Sequence, residues 1–212
     1  MNGSEFFGQI KRGFGLALDF TGRDRRGQFW PYAAAVFVLT QVISMAVLLP
    51  TIIGQVVGSL STAERLARAH PEDWQVERGA GSVSYHYVGS DPEVLRAMMP
   101  DFSGMMAAIG FIAIVTIALM AAAVTRRLHD RGRRGLWAAI PVTLLLLAFW
   151  QMHNIFGGVT DAAMAQDGSG LASILFLGFG LNLLYLIATT VLIIQLALAG
   201  QPAANRYGQP PS

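Results

Sequence analysis

The sequence contains no cysteine and few charged residues. Without cysteine there can be no disulfide framework, no thiolate metal site and no cysteine nucleophile. Charged residues make up 13% of the 212 positions and hydrophobic residues 53%, whereas an average globular protein has about 25% charged residues. This imbalance predicts a protein of the lipid bilayer.

The sequence also lacks a recognisable catalytic or metal-binding arrangement. Its four histidines are scattered, and none has a second histidine or a carboxylate at the helical spacing of a metal-ligand pair. No acid, base or histidine falls within the middle of an apolar run, where such residues usually mark ion paths. We therefore predict no enzyme, no cofactor and no metal site. A small-solute transporter or channel stays open as an alternative, because Gly178, Gly180 and Asn182 would allow the last apolar run to unwind locally.

Four apolar runs are near or above the roughly 20 residues that cross about 30 Å of hydrocarbon. Phe29, Trp30 and Tyr32 precede or open the first of them, and aromatic side chains of this kind favour the headgroup level. We predict an all-α membrane protein, with transmembrane helices over residues 31–58, 103–125, 136–152 and 171–199.

The segments outside these runs differ in character. Residues 1–30 combine a basic turn with apolar positions at helical spacing between Glu5 and Phe20, which predicts an N-terminal helix in the membrane interface. Residues 126–135 form a basic hairpin, and residues 200–212 form a proline-rich tail. Residues 153–170 are rich in glycine and predict a loop or a weak surface helix.

Residues 59–102 predict a small folded α/β insertion. Ser61-Thr-Ala-Glu64 has the pattern of a capping box and predicts a short helix that Pro71 ends. Alternating residues from Gln75 to Arg78 and from Ser82 to Val88 predict a β-hairpin. Ser90-Asp-Pro-Glu93 then predicts another short helix, with proline in its first turn.

Positive charge is concentrated on alternate connections. Residues 1–30, 126–135 and 200–212 are basic, whereas residues 59–102 carry four arginines against seven acids and residues 153–170 carry only acids. Because cytoplasmic loops are rich in arginine and lysine, this pattern predicts four spans with both termini and the basic hairpin in the cytoplasm. Three or five spans would place a basic cluster outside.

The densest charge is found between the second and third runs, with five arginines in nine residues. On the predicted topology this stretch meets the N-terminal turn and the tail in one polar cluster. We call it the arginine-rich floor, and its expected members are Arg23, Arg25, Arg26, Arg126, Arg127, His129, Asp130, Asn205, Arg206 and Tyr207.

The floor has two interpretations. In the structural one, Asp130 pairs with an arginine of the N-terminal turn, His129 bonds a backbone carbonyl, and the cluster fixes the helix ends. In the functional one, the guanidinium groups hold the phosphate of a lipid or of a soluble ligand. The sequence favours the structural interpretation together with contact to anionic lipid.

Three pieces of the chain resemble the bacterial inner-membrane family called domain of unknown function 805. They are Gly22-Arg23-Asp-Arg-Arg26 with Phe29-Trp30, Arg126-Arg127-Leu-His129-Asp130 with Gly132, Gly135 and Trp137, and Asn205-Arg206-Tyr-Gly208 with Pro210. The resemblance implies a small multi-pass inner-membrane protein of unassigned activity. We expect a non-enzymatic accessory or scaffold protein that binds anionic lipid headgroups or another membrane protein through the floor, with no nucleic-acid partner.

Overall fold

A computed structural model describes residues 2–89, 91–98, 102–164 and 168–211. The chain is mostly helical, with four long apolar helices and one small two-stranded sheet, which confirms the predicted helical class and its small insertion. The elements follow in the order α1 Gly3–Gly15, α2 Arg26–Ala69, β1 Trp74–Gly79, β2 Ser82–Tyr87, α3 Pro92–Met98, α4 Ser103–Asp130, α5 Ala139–Met164 and α6 Gly168–Ala197.

Among the described residues, four helical stretches are long and apolar enough to cross a membrane. They are Arg26–Ala69, Ser103–Asp130, Gly135–Met152 and Leu175–Ala197. Each contains or overlaps one of the four predicted spans. Helices α2, α4 and α5 extend beyond the predicted ends of their spans. Polar residues that were predicted to lie in connections therefore lie on helices.

The N-terminal helix α1 begins with a capping box. The side chain of Asn2 accepts a hydrogen bond from the backbone N–H of Glu5 at 2.9 Å, and the Glu5 carboxylate accepts one from the N–H of Asn2 at 3.1 Å. The helix ends at Gly15, five residues before the predicted end at Phe20. It stops early because the carbonyl groups of Leu16 and Asp19 turn towards the side chain of Arg126.

Helix α2 is a single helix of 44 residues, so the prediction of a separate helix that starts at Ser61 is wrong. The Ser61 hydroxyl donates to the carbonyl of Gly58 within the same helix instead of capping a new one. Ala63 and Ala67 pack against Trp74, and this burial continues the helix beyond the apolar run. As expected, the helix has ended before Pro71.

The predicted hairpin is present in the insertion. Strands β1 and β2 pair antiparallel, with Trp74 opposite Tyr87 and Gly79 opposite Ser82. Gly81 occupies the turn with a φ of 94°, a conformation that glycine adopts without strain. Helix α3 starts at Pro92 as expected, while Ser90 lies outside the described residues.

The basic hairpin predicted over residues 126–135 is wrong in its first half. Helix α4 continues to Asp130, so Arg126, Arg127 and Asp130 are fixed on its last turns. Only residues 131–134 connect it to a short 3-10 helix at Gly135–Ala138, which leads into α5. Residues three or four positions apart on a helix are neighbours, so Arg126 and Arg127 both lie close to Asp130.

Residues 153–170, predicted to form a loop or a weak surface helix, are mostly helical in the part that the structure describes. Helix α5 continues to Met164 and α6 already begins at Gly168, while residues 165–167 lie outside the described residues. Helices α5 and α6 pack along one another. Each added helical turn keeps backbone N–H and C=O groups paired, and this gain outweighs the roughly 1 kcal/mol that each glycine costs in a helix.

The chain divides into two compact units. One, the helical unit, contains Met1–Ile43 and Ile109–Ser212, and the other, the hairpin unit, contains Ser44–Ala108. The hairpin unit has its own small core around Trp74. The core of the helical unit consists of Phe29, Tyr32, Val36, Ala123, Val124, Leu128 and Leu196.

Candidate functional site

Charged residues are buried in the helical unit next to its apolar core. Three arginines and two aspartates, each at most 5% exposed, lie in the turn just before α2 and in the last turns of α4. Because an isolated buried charge is very costly, such groups are expected to pair and to satisfy one another's hydrogen bonds. We call this group the buried ion cluster; its members are Arg23, Asp24, Arg126, Arg127 and Asp130.

Asp24 joins the N-terminal turn to α4. One of its carboxylate oxygens accepts a hydrogen bond from Nε of Arg126 at 2.8 Å, and the other accepts one from Nη2 of Arg12 at 2.8 Å. Its backbone N–H donates to the carbonyl of Arg126 at 3.2 Å. Two guanidinium groups and one backbone group thus hold this single aspartate.

Asp130, like Asp24, accepts hydrogen bonds from two arginines. Oδ1 accepts from Nη2 of Arg23 at 2.9 Å and from its Nε at 3.1 Å, while Oδ2 accepts from Nη1 of Arg127 at 2.5 Å. Asp130 therefore pairs with an arginine of the N-terminal turn, as the structural interpretation predicted. Both carboxylate oxygens are occupied by protein donors.

Several of the remaining guanidinium donors are directed at backbone carbonyls. Arg127 donates from Nε to Leu196 at 2.9 Å and from Nη2 to Leu198, and so satisfies carbonyls at the C-terminal end of α6. Arg23 donates to Gln201 at 2.5 Å and to Ala203 at 2.9 Å. Because a helix C-terminus is partly negative, these contacts also offset the surplus positive charge of the cluster.

The tail is held against the end of α4 through His129. The His129 ring stacks on Tyr207 with centroids 3.7 Å apart and an interplanar angle of 7°. Its Nδ1 lies 3.2 Å from the carbonyl of Gly22, the backbone-carbonyl contact that the structural interpretation predicted. Asn205 donates to the carbonyl of His129 at 3.0 Å. The guanidinium of Arg206 lies 4.7 Å from the centroid of the Tyr207 ring.

The structure brings together eight of the ten residues that the sequence placed in the arginine-rich floor. Arg23, Arg126, Arg127 and Asp130 are inside the buried ion cluster, and His129, Asn205, Arg206 and Tyr207 border it. Arg25 and Arg26 differ, because their side chains are exposed and make no hydrogen bond to any described residue.

Sequence reasoning missed two important members of this site. Asp24 is the only acid in the basic turn that runs from Arg23 to Arg26, and this was the available signal. Gly200 lies so close to Asp130 that an added Cβ would overlap the carboxylate oxygen Oδ2. No pattern in the sequence predicts that contact.

A cleft of about 420 Å³ opens beside the buried ion cluster. It is bounded by the start of α2, the end of α4 and the tail. The described residues that line it are Arg25, Arg26, Gly27, Arg127, Asp130, Ala199, Gly200, Gln201, Pro210 and Pro211.

The acids of the helical unit that are near this region are already engaged. Asp24 and Asp130 are paired inside, and Glu5 caps α1. The hydroxyl and the backbone N–H of Thr21 donate to Asp19 and lower the pKa of that exposed carboxylate. Among the described residues, no three histidines, aspartates or glutamates come together as a metal site.

The fold and the site define a helical protein with four candidate membrane spans and a charged cluster at the ends of its helices. The chain matches the family described as "Protein of unknown function (DUF805)" over residues 17–209, and it belongs to that family. This confirms the resemblance, and the match includes all three of the pieces that suggested it, apart from Pro210 at the end of the third. Neither a curated protein nor a solved structure matches the chain.

Proposed function

We propose that this protein is a non-enzymatic inner-membrane protein that binds anionic lipid headgroups or a membrane partner through the cytoplasmic arginine-rich floor. In this proposal the four apolar helices cross the bilayer. Both termini and the turn at residues 131–134 then face the cytoplasm, and residues 59–102 lie on the opposite side.

The buried ion cluster supports this topology. Helix α2 begins at the cluster, α4 ends there, and the residues that follow α6 are bonded to it through Arg23 and Arg127. The ends of these three helices are therefore at one level. If each helix crosses the bilayer once, the N-terminal segment, the short turn and the tail share a side, and the concentration of arginine there supports the proposal that this side is cytoplasmic.

The main support for the proposal is a set of basic side chains that take no part in the buried ion cluster. All of them are exposed and belong to the helical unit, and none of these side chains makes a hydrogen bond or ion pair with a described residue. We call them the floor cations, and they are Lys11, Arg25, Arg26 and Arg134. A basic residue near the membrane surface attracts anionic lipid by about 1 kcal/mol.

Exposed tryptophans accompany the floor cations. Trp30 is 39% exposed in the first turns of α2, and Trp137 is 50% exposed just before α5. The guanidinium of Arg133 lies 5.4 Å from the centroid of the Trp137 ring. Tryptophan prefers the headgroup region, so these side chains mark the level at which the floor cations would meet lipid phosphates.

The transporter alternative gains no support from α6. Asn182 donates from its side chain to the carbonyl of Gly178, one turn earlier, at 2.9 Å. The helix is continuous from Gly168 to Ala197, through both glycines that suggested local unwinding. Asn182 is therefore satisfied within its own helix.

Lipid analysis of the purified full-length protein tests the proposal. Replacing the four floor cations with glutamine should lower the anionic phospholipid that co-purifies per chain severalfold, because each cation contributes about 1 kcal/mol. The matched control replaces the four arginines of residues 59–102, which lie on the opposite side in the proposed topology, and should leave the lipid content unchanged. Equal lipid loss in both variants, or loss in neither, contradicts the proposal.

A further inference from the structure

The cleft beside the ion cluster differs from the rest of the floor because it is a concave site of ligand size. Its volume of about 420 Å³ falls within the range of roughly 300–1,000 Å³ for small-molecule pockets. Secondary structure fixes two of its walls, at the start of α2 and the end of α4. Pro210 and Pro211 of the tail form the third.

The cleft has unneutralised positive charge. Of the described residues that line it, Asp130 is the only acid, and its two carboxylate oxygens are already occupied by Arg23 and Arg127. The side chains of Arg25 and Arg26 also line the cleft and are exposed, and they have no described partner. Two guanidinium groups are therefore available to a ligand, with no acid free to compete.

We infer that this cleft binds one phosphate group, and this inference rests on the proposed function of the floor. A single guanidinium can saturate both oxygens of a carboxylate, whereas a phosphate has further oxygens for a second arginine. Arg25 and Arg26 supply two such forks at one cleft. The phosphate can belong to a lipid headgroup or to a soluble phosphate ester, since both present the same chemistry.

Gly27 provides a test that leaves every charge in place. It lines the cleft together with the two arginines and the tail, and a Cβ added there meets none of the neighbouring atoms within 4 Å. Gly27→Leu should therefore fill part of the cleft without disturbing the fold. Gly15 is also exposed, an added Cβ there also meets nothing, and it lies outside the cleft, so Gly15→Leu is the matched control.

The charge variants form a second matched pair. Arg26→Gln removes a cleft cation, and Arg134→Gln removes a floor cation that does not line the cleft. Loss of a charge-assisted hydrogen bond should weaken phosphate binding roughly ten- to a hundredfold. General attraction by the floor would instead make the two variants equivalent.

The experiment titrates the delipidated full-length protein in neutral detergent with inorganic phosphate and with glycerol phosphate, and titrates the protein in nanodiscs with phosphatidylglycerol. Saturable binding at one site per chain, weakened by Gly27→Leu and Arg26→Gln but not by Gly15→Leu or Arg134→Gln, supports the cleft. If this pattern appears with the soluble probes, a free phosphate suffices; if it appears only with phosphatidylglycerol, the source is the lipid.

Two results overturn the inference. One is binding that Gly27→Leu leaves unchanged, and the other is equal weakening by Arg26→Gln and Arg134→Gln. Either result would leave the floor proposal intact, provided that the fourfold floor variant still loses anionic lipid. If the fourfold variant retains its lipid, the floor proposal fails, whatever the Gly27 data show.

Discussion

Arg23 and Asp130 are 107 residues apart in sequence and form a buried ion pair with an Nη2 to Oδ1 distance of 2.9 Å. The same guanidinium donates to the carbonyls of Gln201, Ala203 and Gly208 in the tail. One side chain thereby joins the N-terminal turn, the end of α4 and the segment that follows α6. Because the same guanidinium also holds the tail, we expect loss of this pair to lower the free energy of unfolding more than loss of an ordinary ion pair.

Arg23→Lys tests whether the shape of the guanidinium matters as well as its charge. Lysine retains the positive charge but has three donors on one nitrogen, so it cannot reach Asp130 and the tail carbonyls together. We expect the free energy of unfolding to fall by about 1–3 kcal/mol, the cost of leaving buried acceptors unsatisfied. Thermal unfolding in detergent measures it.

Arg25→Lys serves as the control for this change. Arg25 is the next arginine along the turn, and it is exposed, so its replacement should alter stability by no more than about 0.5 kcal/mol. If Arg23→Lys unfolds at the wild-type temperature, the bonds to the tail do not stabilise the protein.

Gly200→Ala should damage the buried ion cluster through a single methyl group. The added Cβ would overlap Oδ2 of Asp130 and push that carboxylate away from Arg127. We expect a loss of about 1–3 kcal/mol in the free energy of unfolding, as for other overpacked sites. Gly27→Ala is the matched control, since a Cβ there meets open space. Wild-type stability of both variants would show that the cluster relaxes around the extra methyl.

Much of the fold and part of the site followed from the sequence. The lengths of the apolar runs predicted the four long helices. The positions of the charged residues predicted that the N-terminal turn, the segment after the second run and the tail meet. The sequence did not indicate which donors would be left free. It pointed to Arg126 and Arg127 as candidate ligands for an anion, yet both are buried and donate to Asp24, Asp130 and backbone carbonyls.

The boundaries were missed for a physical reason. A hydropathy pattern records where the bilayer would end, whereas a helix ends where its backbone groups find other partners. Helix α2 therefore continues to Ala69, because packing against Trp74 stabilises its last turns. Helix α4 continues to Asp130 because the charges on its last turns are paired with the N-terminal turn.

The absence of cysteine makes the proposed topology directly measurable. Single cysteines can be introduced without background at Ser4 in α1, at Ser82 in the hairpin and at Gln209 in the tail. In intact spheroplasts a membrane-impermeant maleimide should label only Ser82→Cys. Ser4→Cys and Gln209→Cys should react after permeabilisation. Labelling of Gln209→Cys from outside would contradict a cytoplasmic tail and, with it, the proposed floor.

Asp24 offers an internal comparison, because two arginines bind the same carboxylate at the same distance but at different depths. The donor nitrogens of Arg12 and Arg126 both lie 2.8 Å from Asp24, yet the Arg12 side chain is 33% exposed and that of Arg126 only 2%. Solvent screening should limit the cost of Arg12→Gln to about 0–1 kcal/mol. Arg126→Gln should cost about 3–5 kcal/mol, since it breaks a buried pair and removes the guanidinium that donates to the carbonyls of Leu16 and Asp19. Unfolding of both variants, with Asp24→Asn in each background, separates the two contributions, and equal costs would show that burial does not set the strength of this pairing.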